Sequence, residues 1–279
     1  MNRTYGLLSP RGQALMLAAL ALLVFTAFPF AWMASTALKP SREIFATPPT
    51  LWPAHVTLDN VGRLFAETRF LTYFRNSLIV SFATVGLTLL VSVPAAYALT
   101  RFRFRGRETI AGVILFTYMF APIMIIIPFY VVMRFLGLTN THIGLILAYT
   151  AFCLPFSLWL LRTFFQSIPL EIEEAAMIDG TRVQAVIYVV LPLALPGVIA
   201  TGTFTFILAW NDYIFARVLL SADEMKTLPV GIADLYNASV VDWGMIMAAG
   251  LLVIAPVAAV FVFIQKFLAV GWGSGGVKG

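Results

Sequence analysis

The sequence predicts an all-α integral membrane protein with six transmembrane helices and a cytoplasmic helix-turn-helix loop, and three observations predict it. Of 279 residues, 61% are hydrophobic and only 11% charged, with a mean hydropathy of +0.92, whereas a soluble domain carries roughly 25% charged residues. Apolar runs long enough to cross a hydrocarbon layer, about 20 residues each, recur at 14–37, 76–100, 110–133, 143–162, 194–215 and 243–267. The short alternating strands that a transmembrane barrel needs are not found. In lipid, that leaves helices to satisfy the backbone internally. Residues 1–279 are read as a single transmembrane domain.

The first run follows Arg3 and Arg11 and contains Trp32. It is too long for a secretory signal and is expected to be retained as a span. Orientation follows from Arg101, Arg103, Arg105 and Arg107, which crowd one short connection opposed only by Glu108. The positive-inside rule makes that connection cytoplasmic, and with it both termini and the stretch 163–193. The connection 38–75 then lies outside despite Lys39, Arg42, Arg63, Arg69 and Arg75, since longer loops translocate with less regard to charge. Pro94, Pro122, Pro128, Pro155 and Pro256 fall within spans. Each removes a backbone donor and tends to kink a helix. Broken helices lining a pathway and ordinary membrane-helix prolines are both open readings.

The net charge of +5 and pI near 9.5 come from short clusters beside apolar runs. They form no continuous basic face of the kind nucleic acid requires. Cys153, the one cysteine, lies in an apolar run and is read as a small core residue with no intrachain disulfide. His55 and His142 lack partners at metal-ligand spacing, so no metal site is expected.

The most informative stretch runs from Ser167 through Glu174-Ala175-Ala176-Met177-Ile178-Asp179-Gly180 to Leu191-Pro192. It reads as helix, turn, helix. Ser167 suits an N-cap, Pro169 a first turn, and Glu171, Glu173 and Glu174 the positive end of a helix dipole. Gly180 suits a left-handed helix end and Thr181 the next cap. Ala175 and Ala176 allow close backbone approach, while Ile172, Met177 and Ile178 offer apolar contact to a partner groove. A helix lying on headgroups is the weaker alternative, because three glutamates stand where Lys or Arg would be usual.

Glu-Ala-Ala, Asp179-Gly180, Leu191-Pro192 and Pro196 together resemble the signature loop of permeases of binding-protein-dependent ABC importers. Ile168-Pro169 and Glu171-Ile172-Glu173 are similar to the carbohydrate branch. So are Asp242-Trp243-Gly244, Met247-Ala248-Ala249, and the tail from Gln265 to Gly271 continuing through Ser274-Gly275-Gly276-Val277-Lys278. The chain departs from the pattern in having three residues between Gly180 and Gln184 where the family usually has four. Val186 stands where Phe or Leu is common. The resemblance implies that Glu173, Glu174, Ala175, Ala176, Ile178, Asp179 and Gly180 form a coupling loop. That loop would seat in a cleft of an ATPase, with Glu174 meeting a basic residue there. The resemblance also implies that Ser274, Gly275, Gly276, Val277 and Lys278 reach the ATPase subunits. The implied partners are two nucleotide-binding subunits, a second homologous permease and an extracytoplasmic sugar-binding protein, and the implied location is the bacterial inner membrane.

Within the spans, Trp210, Asn211, Asp212 and Tyr213 are candidates for the substrate path. An ionisable residue there is a functional hypothesis by default, and an aromatic ring can stack on a sugar. An interfacial aromatic anchor with a solvated carboxylate is an equal alternative. Asn76 and Ser77 are further candidates. The outer connection 217–242, with Ser221 to Glu224 and Asn237 to Ser239, is expected to face the binding protein. An ion-gradient transporter or channel would need more intramembrane charges than Asp212 and Arg162 near span ends. An intramembrane enzyme would need a nucleophile with its base, or a metal cluster. No G-x-x-x-x-G-K-[ST] loop is present, so ATP and Mg are expected on partner subunits, with no cofactor in this chain.

Overall fold

The computed structural model describes residues 10–238 and 240–273, with side chains over 12–238 and 240–265. In chain order the helices are α1 (Pro10–Ala37), α2 (Ser41–Ile44), α3 (Asp59–Glu67), α4 (Phe70–Arg101), α5 (Arg107–Thr117), α6 (Pro122–Phe135) and α7 (His142–Ser167). They continue with α8 (Leu170–Ala176), α9 (Arg182–Ala185), α10 (Leu191–Asn211), α11 (Ile214–Leu219), α12 (Leu228–Tyr236) and α13 (Trp243–Gly273). No strand occurs among the described residues. Among the described residues five helices are long and apolar enough to cross a membrane, or six if α5 and α6 are one broken span.

That broken span is where the structure departs most from the apolar pattern. Residues 110–133 are expected as one span, but α5 and α6 meet at a 97° bend. Pro122 opens α6 and holds Ala121 extended, at φ −61° and ψ 132°. The residue before a proline is driven out of the helical region, and proline itself suits a first turn. By contrast, α4, α6, α7 and α13 run through Pro94, Pro128, Pro155 and Pro256. The fifth span also ends early, at Asn211 and not near 215, because Asp212 is extended.

The described residues fold as two compact units, one reaching Phe70 and resuming over Ile232–Ala255, the other covering Leu71–Gly231 and the described part of the chain from Pro256. In the first unit, the amide of Asn60 donates to the carbonyls of Ala37 at 2.9 Å and Lys39 at 2.7 Å. Arg63 pairs with Asp242 at 2.8 Å, while the other Asp242 oxygen accepts from Met245 N–H at 3.0 Å and caps α13. Gly244 lets this corner close, since a Cβ there would stand 2.4 Å from the Asn60 side chain. Ala54 N–H donates to Glu43 and holds that carboxyl below its ordinary range.

In the second unit, α7 and α10 pack closely at Gly197, whose Cα lies against Phe164 so that a Cβ would meet the ring at 2.4 Å. Small residues at such crossings let backbones approach in lipid. One core joins Val80, Leu145, Tyr149, Phe215 and Val230. A second, toward the opposite ends of α4 and α7, joins Ala96, Leu161, Phe165, Val190 and Ala194. Cys153 is buried with a free thiol.

Candidate functional site

At the second core, α7 hands the chain to the loop of α8 and α9. Ser167, expected as an N-cap, stays in α7 and donates to the Phe164 carbonyl at 2.7 Å, because Phe165 is still buried and draws the helix on. α8 begins behind Pro169 with no side-chain cap. Gly180 is not left-handed, contrary to the sequence expectation. Its missing Cβ makes room for Gln184, whose Oε1 would lie 3.1 Å from such an atom and accepts from Thr181 N–H at 2.8 Å. Thr181 Oγ1 accepts from Gln184 N–H in return, so a reciprocal capping box starts α9. A π turn over Val186–Val190 then carries the chain into α10, taking up more residues than an α turn would.

Two adjacent glutamates take opposite roles. Glu173, expected on the coupling face, is fully buried. Its carboxylate forms an ion pair with Arg101 Nε at 2.9 Å and accepts from the Tyr97 hydroxyl, and Arg101 also donates to the Ile168 carbonyl at 2.9 Å. Successive helical residues point about 100° apart, so burying Glu173 leaves Glu174 outside. Glu171, Glu174, Ala175 and Asp179 are exposed, as are Ile172, Val183 and Ile178, the last by 83%. Arg182 lies over the Phe102 ring at 5.3 Å. The loop is pinned from behind and presents an apolar ridge flanked by carboxylates. Arg101 and Tyr97 were not singled out by sequence for this role. Arg101 reads there as one of a topological cluster, and the only sequence signal for pairing is a charge within reach of a span end.

Toward the other end of the second unit, the break between α10 and α11 places Asp212. Its Oδ2 accepts from the Tyr149 hydroxyl at 2.9 Å and from Phe215 and Ala216 N–H at 3.0 and 3.2 Å. Asp212, Tyr149, Tyr118, Phe129 and Phe152 line a cavity of about 490 Å³ at the α5–α6 bend. Trp210 is 1% exposed, stacked on Phe206 and edge-on to Phe74, so it packs the core and does not face the cavity. Asn211 is exposed and donates to the Ile207 carbonyl at 2.8 Å, and Tyr213 is exposed as well. Asn76 is buried and donates to the Glu224 and Lys226 carbonyls at 2.8 and 2.9 Å. Its NH2 group is committed to the connection above it. That connection is tied down further by Ser77, which accepts from Leu228 N–H, and by His142 against the Met225 carbonyl. Asn140, left-handed at φ 55°, accepts from Ser221 and Ala222 N–H. The tail candidates Ser274, Gly275, Gly276, Val277 and Lys278, and Ser239, lie outside the described residues. Among the described residues no cluster could hold a metal ion.

Residues 88–271 match the family described as binding-protein-dependent transport system inner membrane component. The chain is 38% identical over 260 residues to the inner membrane ABC transporter permease protein YcjP of Escherichia coli, covering 92% of this chain and 93% of that one. It is 31% identical to the trehalose/maltose transport system permease protein MalG of Thermococcus litoralis, over 95% and 96% of the two chains. A crystal structure of a bacterial ABC transporter involved in import of the acidic polysaccharide alginate superposes with a TM-score of 0.78 at 28% identity, covering 92% of this chain and 98% of that chain. With six apolar runs, a pinned Glu-Ala-Ala loop and these likenesses together, the chain belongs to the binding-protein-dependent transport system inner membrane components, the permeases of ABC importers.

Proposed function

We propose that this permease carries a sugar or polyol, delivered by an extracytoplasmic binding protein, and that ATP with Mg is hydrolysed on two separate nucleotide-binding subunits. The relatives support a sugar, since their names specify sulfoquinovosyl glycerol, diacetylchitobiose and trehalose/maltose transport. A second, homologous permease completes the path, and both termini lie on the cytoplasmic side with the loop. The carrying observation is the division of labour in that loop. The buried Glu173–Arg101 pair makes α8 rigid against α4, while Glu174, Ala175, Ile178 and Asp179 stay free for a partner groove. A rigid contact is what transmits closure of an ATPase dimer into rocking of the spans. Ser274 to Lys278 are assigned to the same ATPase contact by family resemblance. Ion-gradient coupling is disfavoured, because the Asp212 carboxylate is already held by a hydroxyl and two backbone N–H groups.

Glu174→Lys tests the assignment. Uptake and binding-protein-stimulated ATP hydrolysis are expected to fall at least ten-fold while the subunit still inserts and assembles. Survival of both activities would overturn the coupling role.

A further inference from the structure

The connection 38–58 folds back along α1. Ser35 Oγ donates to the Leu51 carbonyl at 2.5 Å, the Lys39 ammonium donates to the Thr50 carbonyl, and Thr57 N–H donates to the Leu38 carbonyl at 2.9 Å. These bonds lay Leu51 and Trp52 against Phe28, Ala31 and Trp32, and the five side chains line a notch of about 140 Å³. Lys39 is itself buried, with its ammonium 5.2 Å from the Trp32 ring centroid.

The outer side of this connection carries large apolar side chains beside the polar Arg42, Thr47 and His55 and the Glu43 carboxylate that accepts from Thr50 and Ala54. Phe45, Leu51, Trp52, Val56 and Leu58 are all exposed, Trp52 by 77%. Large exposed apolar side chains gathered on one short connection mark an interaction surface. Its depth points to lipid. The apolar stretch of α1 is 26 residues long, about 39 Å at 1.5 Å per residue. Centred in a hydrocarbon layer of about 30 Å, it leaves the boundary about three residues before Ala37. Phe28 and Trp32 are then on the hydrocarbon side, and the loop tip is beside them. Irregular backbone survives at that depth only where protein groups satisfy it. The carbonyls of Thr50 and Leu51, at the tip, are the ones that Lys39 and Ser35 occupy. A tryptophan at the edge of the hydrocarbon is also the usual anchor, and Phe28, which lines the notch beside Trp52, is exposed on α1 along with Val24 and Phe25.

We propose that residues 45–58 form a lipid-dipping anchor, whose Leu51–Trp52 tip enters the leaflet at the Ala37 end of α1 and whose notch receives a phospholipid acyl chain. The test uses the assembled importer in phospholipid nanodiscs, on a Cys153→Ala background. Spin labels go at Phe45→Cys and Trp52→Cys, with Glu67→Cys as the aqueous reference. Labels at 45 and 52 are expected to collide several-fold more with dissolved oxygen than with a water-soluble nickel chelate, and the label at 67 the reverse. Preference for nickel at 52 would place the tip in water. Protection from both reagents would place it under another subunit, and either result overturns the proposal. Intrinsic fluorescence gives a second readout without labels. Brominated lipid is expected to quench the intact protein more than Trp52→Phe, and equal quenching would count against the anchor.

Discussion

In the Arg101–Glu173 ion pair the carboxylate is fully buried and the Arg101 side chain nearly so, so each charge is tolerable mainly because the other is present. Removing one partner of a buried pair costs about 3–5 kcal/mol, whereas replacing both with apolar groups is often neutral. Glu173→Ala is therefore expected to lower the thermal unfolding temperature sharply, and Arg101→Met with Glu173→Ala to recover most of the loss. If the double variant instead showed the sum of the two single losses, the pairing would not be what holds the loop. Glu174→Gln, on the exposed face, is expected to change stability by about 0.5 kcal/mol at most. Adjacent positions thus separate anchoring from contact, and a melting curve distinguishes them.

For the elements, the boundaries are set by local chemistry that competes with apolar pattern. α9 is only Arg182–Ala185 and depends on its capping box, worth about 1 kcal/mol. Thr181→Ala is expected to speed amide exchange over 182–185 by about five-fold, the ratio for a loss of that size, and Thr181→Ser to restore it. Unchanged exchange in Thr181→Ala would mean that packing of Ala185 and Val190, not the cap, sets the start of the helix. The α5–α6 bend has the same kind of cause. Pro122 opens a helix at a point where Tyr118, Met119 and Phe120 are apolar enough to hide the break from any hydropathy window.

Across the whole second unit, side chains of α4, the 138–142 turn and α7 tie down the connection from Leu219 to Leu228. Asn76 supplies two of these bonds from a buried position, and each is worth about 1 kcal/mol net. Asn76→Ala is expected to raise exchange across 221–228 by ten-fold or more, with the α7–α10 crossing at Gly197 unaffected. No change there would show that His142, Asn140 and Ser77 suffice alone. Asn76 and Trp210, expected on the substrate path, are both buried, Asn76 donating to the Glu224 and Lys226 carbonyls and Trp210 packed on Phe206 and Phe74.

The apolar runs, the arginine cluster and the Glu-Ala-Ala loop determined by themselves the all-α membrane class, the family and the site of the loop. Those features are local, and a hydrocarbon solvent admits few alternatives. Tertiary structure alone decided that Glu173 faces inward while Glu174 faces outward, that Asp212 serves Tyr149 and two amides, and that the third span breaks. The first two depend on which neighbour lies across a helix crossing, while the break follows from Pro122 and the extended Ala121 before it. Helical spacing limits the faces a side chain can take, but the partner that occupies one face comes from a different part of the chain.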